Sequence, residues 1–169
     1  MNPTETERSG AGQSTGAVDR AEAVRQLMPA DRDARGALLP LLHALQREFG
    51  HIDDALVPHV AEALNLSRAD VHGVVTFYHD FRRSAPGRHI VKLCRAESCQ
   101  ARGGRAVERA AVARLGTTMG STRADGAVTL EPVYCLGLCA IGPAALVDGR
   151  PVARLDAAAL DRIADEIAA

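Results

Sequence analysis

The sequence predicts an α/β protein in which an N-terminal helical bundle precedes a small domain of mixed strands and helices. Apolar residues recur at three- and four-residue spacings in the first half of the chain. Short β-branched runs alternate with helical patterns in the second half, and Asp148-Gly149 between two such runs is a strong type I′ hairpin signal. The predicted boundaries are 1–19 for a disordered arm, 20–84 for the helical domain and 85–169 for the α/β domain.

Composition excludes several classes of function. With 47% hydrophobic and 24% charged residues, the 169-residue chain can bury a core. Its net charge of −1 and its 3% aromatic content argue against nucleic-acid binding. The longest apolar stretch, 37–42, is far short of the ~20 residues that span a membrane. The first residues lack the apolar region of a secretory signal, so we expect a cytoplasmic protein whose four cysteines are reduced.

Helical periodicity begins at about Arg20 and predicts three short helices. The first carries Leu and Phe residues over 38–49 and ends at Gly50. The second is capped by Asp53 or Asp54. The third opens with a capping box.

The capping box consists of Ser67 and Asp70, and its helix runs to the aromatic group Phe77, Tyr78 and Phe81. This group holds three of the five aromatic residues in the chain. It is interpreted either as a contact for a partner subunit or as packing between the two domains.

The pattern of the second domain predicts strands that end at cysteines. A buried strand over 89–93 runs into Cys94, and a second over 127–133 ends close to Cys135. A helix starts after Gly103-Gly104 and stops at Gly116, and Asp156 caps the last helix.

All the cysteine lies in two short clips, Cys94-Arg-Ala-Glu-Ser-Cys99 and Cys135-Leu-Gly-Leu-Cys139. Thiolates are soft ligands, so four of them suggest an iron–sulfur cluster or zinc. Neither clip has the two-residue gap typical of zinc knuckles or of C-x-x-C redox pairs. Reactive or inert thiols remain the third alternative.

A local pairing of the cysteines is favoured for a 2Fe–2S cluster. Each iron needs two thiolates, and each clip can close on one iron. Pairing Cys94 with Cys135 would close a much longer loop, at an extra chain-entropy cost of roughly 2 kcal/mol. We therefore assign Cys94 and Cys99 to one iron and Cys135 and Cys139 to the other. Gly137 and Gly142 are expected to let the backbone wrap closely.

Charge around the first clip favours an anionic centre. The stretch 88–115 holds seven basic residues and two acidic ones, a net charge of +5. Cations near a cluster stabilise its reduced state and raise its potential. Arg95 and Arg102 are the candidates for this effect.

The two clips, 35 residues apart and preceded by Gly-Val-Val-Thr-Phe-Tyr, resemble those of the thioredoxin-like 2Fe–2S ferredoxin family. This family includes the small flavin-adjacent subunits of NADH:quinone oxidoreductase, of NAD-reducing hydrogenase and of soluble NAD-dependent formate dehydrogenase. Cys94-Arg-Ala-Glu-Ser-Cys99-Gln and Val75-Thr-Phe-Tyr-His-Asp-Phe81 are most similar to the gamma subunit of the molybdenum formate dehydrogenase.

The resemblance implies a thioredoxin-like fold for the second domain and an electron-transfer role. It implies one 2Fe–2S cluster as cofactor, with four ligands: Cys94, Cys99, Cys135 and Cys139. It also implies partner subunits that hold FMN, NAD and the molybdenum cofactor. No catalytic residue is expected in this chain, which lacks a G-x-G-x-x-G fingerprint. The alternatives are the equivalent subunit of a hydrogenase or of NADH:quinone oxidoreductase, and a zinc-stapled structural adaptor.

Overall fold

The computed structural model describes residues 15–30 and 36–168, with side chains from Arg20 onward. The chain forms two compact units that are divided between Ala85 and Pro86. Most of the predicted arm, residues 1–14, lies outside the described residues. The first helix begins at Thr15, so residues 15–19 are helical, whereas the sequence pattern places the first helical residue near Arg20.

The first unit contains four α-helices in its described residues. They are α1 (Thr15–Gln26), α2 (Leu38–Phe49), α3 (Leu56–Ala63) and α4 (Arg68–Phe77). The apolar faces of all four meet in one core, with Leu41, Leu45, Ile52, Val60 and Val71 fully buried. The apolar spacing seen in the sequence thus produces a helical unit with its own core.

The predicted caps of this unit are present. The Ser67 hydroxyl accepts the Asp70 N–H at 3.0 Å and thereby caps α4. Asp53 Oδ1 accepts the Leu56 N–H at 3.0 Å ahead of α3. Gly50 ends α2 in the left-handed conformation, at φ +77°. These side chains satisfy backbone groups that a helix end leaves without partners.

The second unit is an α/β domain with a five-stranded sheet. Its strands are β1 (His89–Cys94), β2 (Ser121–Thr122), β3 (Val128–Val133), β4 (Ala145–Val147) and β5 (Arg150–Val152). Its helices are α5 (Glu97–Ala101), α6 (Gly104–Leu115) and α7 (Ala157–Ala168). The strand order is β2-β3-β1-β4-β5, and only β1 and β3 run parallel.

The core of this unit lies between the sheet and its helices. Val91 and Leu93 of β1 pack with Leu130 of β3 and with Leu115 and Leu160 of the helices, and all five are buried.

Two local signals from the sequence shape the end of this unit. The hairpin of β4 and β5 turns at Asp148 and Gly149, both with positive φ, as a type I′ turn requires. Asp156 Oδ1 accepts the Ala159 N–H at 2.7 Å at the start of α7, so the predicted cap of the last helix is present.

Two short elements differ from the sequence prediction. Helix α5 has five residues and strand β2 has two, lengths at which no apolar period can develop. None of the helices in the described parts of the chain is long and apolar enough to cross a membrane.

Candidate metal centre

The parallel pairing of β1 and β3 brings the two cysteine clips together. Cys94 is the last residue of β1 and pairs in register with Val133, the last residue of β3. Because the carboxyl ends of parallel strands lie at the same edge of a sheet, Cys135 follows two residues later at that edge. The sequence prediction that both clips lie at strand ends is confirmed.

The antiparallel strand β4 delivers the third segment to this edge. The Cys94 N–H donates to the Ala144 carbonyl at 2.9 Å, immediately before β4 starts. Cys139 begins a single 3-10 turn, Cys139–Ile141, which leads into this segment. The end of β1 is therefore flanked by the chain on both sides.

Cys99 reaches the site from α5, directly after β1. Its side chain is buried, with 2% exposed. Gly104, at the start of α6, fixes this helix closely: a Cβ there would lie 2.7 Å from the Cys99 carbonyl oxygen. Only glycine permits such an approach to a backbone atom. The close contact holds the carbonyl of Cys99 against the first turn of α6.

The four sulfurs fall into two pairs that match the two clips. The Cys94 and Cys99 thiols hydrogen-bond to each other, and both residues are buried. The Cys135 and Cys139 sulfurs lie 3.8 Å apart, and both residues are exposed. One pair is thus shielded by protein and the other faces outward.

Backbone N–H groups are directed at the buried pair. Burial raises the pKa of a thiol, yet the pKa of Cys94 lies below its usual value because N–H groups of Ala96, Cys135 and Leu136 donate to its sulfur. Burial and the neighbouring Cys94 raise the pKa of Cys99, against the opposing N–H of Ala144. The site supplies the donors that an anionic sulfur needs in a buried position.

Cys135 has a backbone conformation that cysteine rarely adopts. Its φ is +74°, and Gly137 two residues later has φ +76°. A non-glycine residue in the left-handed region costs of order 1–3 kcal/mol. Glycine would make the same turn without that cost, so the cysteine at this position points to a need for its sulfur.

Gly142 forms a close wall of the site. It is buried, and a Cβ there would lie 3.1 Å from the sulfur of Cys99. Its carbonyl accepts the Arg102 Nε–H at 3.1 Å. The expectation that Gly142 allows close wrapping is met at this contact with Cys99.

These residues fit a 2Fe–2S cluster. Such a cluster takes two thiolates on each of two irons, and its sulfurs accept N–H hydrogen bonds. The described chain offers two cysteine pairs and several N–H groups aimed at sulfur. No group of three or more His, Cys, Asp or Glu side chains in its described residues is arranged around a position for one metal ion. The donor set therefore matches a centre whose ligands divide into pairs.

The two arginines predicted near the cluster differ in their surroundings. Arg95 Nε lies 3.0 Å from the Glu108 carboxylate, so its charge is locally balanced. Arg102 is exposed, has no ion pair in residues 15–30 and 36–168, and touches the loop that follows Cys139. Arg102 is the better candidate for a charge that acts on the centre.

The aromatic group divides between core and surface. Phe81 is buried in the core of the first unit, with its ring 4.9 Å from that of His43. Phe77 and Tyr78 form an edge-to-face pair and are 72% and 43% exposed. A partner contact stays a prediction for these two residues.

Sequence reasoning misses the roles of Gly104, the Arg102 contact and the Ala144 N–H. Gly103-Gly104 predicts only a break before a helix, because a glycine pair carries no signal for which backbone it will touch. The other two act across about 40 residues of sequence, through contacts that exist only in the folded domain.

A comparison with known families decides the identity of the fold. Residues 24–168 match the thioredoxin-like 2Fe-2S ferredoxin family. The chain belongs to this family. The thioredoxin-like fold and the 2Fe–2S cofactor expected from the sequence are thereby confirmed.

The curated relatives of this ferredoxin-family chain are subunits of NADH-quinone oxidoreductase. It is 38% identical over 116 residues to one such subunit from Pseudomonas aeruginosa, covering 69% of this chain and 70% of the relative. It is 33% identical over 127 residues to the corresponding subunit from Escherichia coli K12, covering 75% and 76%.

A solved structure resembles the chain as well. A chain in the crystal structure of an NAD+-reducing NiFe-hydrogenase in the H2-reduced state superposes with a TM-score of 0.68 at 27% identity. The match covers 78% of this chain and 22% of the hydrogenase chain, so this protein spans about a fifth of that relative.

Proposed function

We propose that this chain is an electron-transfer subunit that holds one 2Fe–2S cluster on Cys94, Cys99, Cys135 and Cys139. The observation that carries the proposal is the convergence of the two cysteine clips at the carboxyl ends of β1 and β3. The N–H groups aimed at the buried sulfur pair support it. When bound, the cluster supplies a centre that accepts and releases one electron at a time.

The residues of this chain hold and tune that centre. Cys94 and Cys99 form the buried side, where backbone N–H groups offset the negative charge on sulfur. Cys135 and Cys139 form the exposed side, through which a redox partner can approach. The chain has no substrate chemistry of its own in this proposal; its work is ligation, tuning and docking.

The partner in this proposal is a subunit that holds FMN and the NAD site. The specific complex proposed is a cytoplasmic NAD-dependent formate dehydrogenase whose catalytic subunit carries the molybdenum cofactor. Support comes from Cys94-Arg-Ala-Glu-Ser-Cys99-Gln and Val75–Phe81, which resemble the gamma subunit of that enzyme.

A second candidate is the equivalent subunit of NADH:quinone oxidoreductase or of an NAD-reducing hydrogenase. It is favoured by the identity of 38% to the Pseudomonas aeruginosa relative and by the TM-score of 0.68 with a hydrogenase chain. Both candidates share the same cluster and differ in the enzyme to which electrons pass.

Analysis of anaerobically purified protein tests the cluster. Two irons and two acid-labile sulfides per chain, with a paramagnetic signal on reduction, are expected. One zinc per chain without visible absorption would instead identify a zinc-stapled adaptor. The variants Cys139→Ser and Cys99→Ser should each alter or abolish the spectrum. A stable, unaltered cluster in either variant would refute that ligand.

Co-purification tests the complex. The tagged full-length chain is expressed in its native host, and the proteins retained with it are identified and analysed for metals. A molybdenum-containing subunit together with a flavin subunit supports formate dehydrogenase. A nickel-containing subunit, or the membrane arm of a quinone reductase, identifies the second candidate and excludes the first.

A further inference from the structure

A cleft of about 480 Å³ opens beside the cysteine clips in the second unit. Three of its wall residues are direct neighbours of proposed ligands: Arg95 follows Cys94, Gln100 follows Cys99, and Tyr134 precedes Cys135. The opposite wall is one face of α6, with Arg105, Glu108 and Arg109. Whatever fills this cleft touches the segments that hold the cluster.

The charges in the cleft are unevenly balanced. Glu108 is paired with Arg95, at 3.0 Å between Nε and Oε2. Arg105 and Arg109 lie one turn apart on α6, are exposed, and form no ion pair in the described parts of the chain. Glu97 is the one remaining acid of the wall, so two unpaired cations face one unpaired carboxylate.

The position of Arg105 runs against the preference of a helix. It lies in the first turn of α6, where the helix dipole is positive and acidic side chains are stabilising. No acidic residue is present in that turn. Residues that break a local rule without a gain in the folded chain are typical of functional surfaces.

The walls are fixed in place before any ligand arrives. The first turn of α6 is held against α5 by the close approach of Gly104 to the Cys99 backbone. Gln100 Oε1 is buried without a hydrogen-bond partner in the described chain, an arrangement that costs about 1–3 kcal/mol. A donor from an occupant, met by a turn of this amide, would remove that cost.

We propose that this cleft docks an acidic peptide segment of the partner subunit. Carboxylates of the segment pair with Arg105 and Arg109, a peptide N–H meets Gln100, and Tyr134, 69% exposed, packs against the segment. The mixed charges favour a peptide over a phosphate ligand, because Glu97 and Glu108 repel phosphate while a peptide also brings donors. The inference rests on the proposed function, since it names the surface that brings the redox partner to the cluster.

The test measures binding of a labelled, acetylated hexaglutamate peptide to the cluster-loaded full-length chain at low ionic strength. Saturable binding is expected, and Arg105→Gln/Arg109→Gln should weaken it at least about tenfold. The matched control Arg68→Gln/Arg162→Gln removes the same charge from exposed positions outside the cleft and should leave affinity within about twofold. A hexalysine peptide should not bind.

A second measurement ties binding to the site. The peptide should shift the paramagnetic signal of the reduced cluster in the wild-type chain but not in Arg105→Gln/Arg109→Gln. Equal weakening in both double variants would mean general attraction and overturn the proposal. So would the lack of saturable binding, or equally effective competition by inorganic phosphate. Peptide binding that persists in a chain without iron would sink the proposed function and leave the docking site standing.

Discussion

The Nε–H of Arg102 donates to the carbonyl of Gly142 at 3.1 Å and ties the end of α5 to the loop that follows Cys139. One side chain therefore joins the two cysteine clips and carries a positive charge at their junction. Both effects can be separated by substitution.

Arg102→Gln should make the reduction potential of the cluster more negative by roughly 20–60 mV, because a cation stabilises the more negative, reduced state. Arg102→Lys keeps the charge and should keep most of the potential. Potentiometric titration monitored by the paramagnetic signal measures both.

The tether itself is tested by cluster loading. Since neither variant retains the guanidinium contact to the Gly142 carbonyl, both should load less iron if the contact orders the second clip. Equal potentials in Arg102→Gln and in the wild-type chain would contradict the electrostatic role.

Gly142→Ala should impair the site while sparing the fold. The added methyl group would lie 3.1 Å from the Cys99 sulfur, so the sulfur or the loop must shift by a few tenths of an ångström. We expect lower iron content and an altered visible spectrum, with a change in the free energy of unfolding of the apoprotein limited to about 1–2 kcal/mol.

Gly73→Ala is the control for this substitution. Gly73 lies within α4, and a Cβ there meets no atom within 4 Å. The variant should gain about 0.5–1 kcal/mol of stability and load its cluster normally. A fully loaded Gly142→Ala protein with an unchanged spectrum would show that the contact with Cys99 is unimportant.

Cys135→Gly should stabilise the apoprotein while it prevents normal cluster binding. Glycine adopts φ +74° freely, so about 1 kcal/mol of backbone strain is released. Cys139→Gly removes a thiol from a residue outside the left-handed region and should instead destabilise the apoprotein by about 0.5–1 kcal/mol. Thermal unfolding of the two iron-free variants measures the difference, and a lower stability for Cys135→Gly than for wild type would disprove the strain argument.

Asp148 should make the domain more stable above acidic pH. Burial raises its pKa, but hydrogen bonds from His89 Nδ1 at 2.8 Å and from the Ile90 N–H at 2.7 Å outweigh burial and lower the pKa below its usual 3.8. The unfolded chain therefore takes up the proton first on acidification. The stabilisation is present above pH 3.8 and is lost as the pH falls through the lowered pKa.

Asp148→Asn checks this sign. Asparagine tolerates the positive φ of the turn but cannot carry the charge. The variant should lose about 1 kcal/mol or less at neutral pH, because the side chain is 45% exposed, and should lose less stability than wild type on acidification. Urea unfolding at pH 7 and at pH 3 provides the comparison. A wild-type chain and a variant with the same pH dependence would exclude the role of this carboxyl.

Local signals explain which parts of the fold could be predicted. Ser67 and Asp70 cap a helix through neighbours three residues apart, and Asp148-Gly149 turns a hairpin through its own backbone preference. Each needs only a short stretch of sequence. The four cysteines are visible for the same reason, since each clip spans at most six residues.

Tertiary contacts explain what could not be predicted. Helix α5 is too short for periodicity, and its position depends on Gly104 meeting the Cys99 carbonyl. The bond from Arg102 to Gly142 spans 40 residues, and no pattern in either segment announces it. The cleft beside the clips is likewise made by side chains from three separate segments.

The in-register end of β1 and β3 has a consequence for the order of events during synthesis. Cys94 and Cys135 become neighbours only after α6 has been made and both strands have paired. A zinc knuckle can gather its metal while the chain is still emerging from the ribosome, whereas here the cofactor must be delivered to a finished domain. Iron content therefore reports on maturation, because a chain whose strands have not paired has no complete place to receive it.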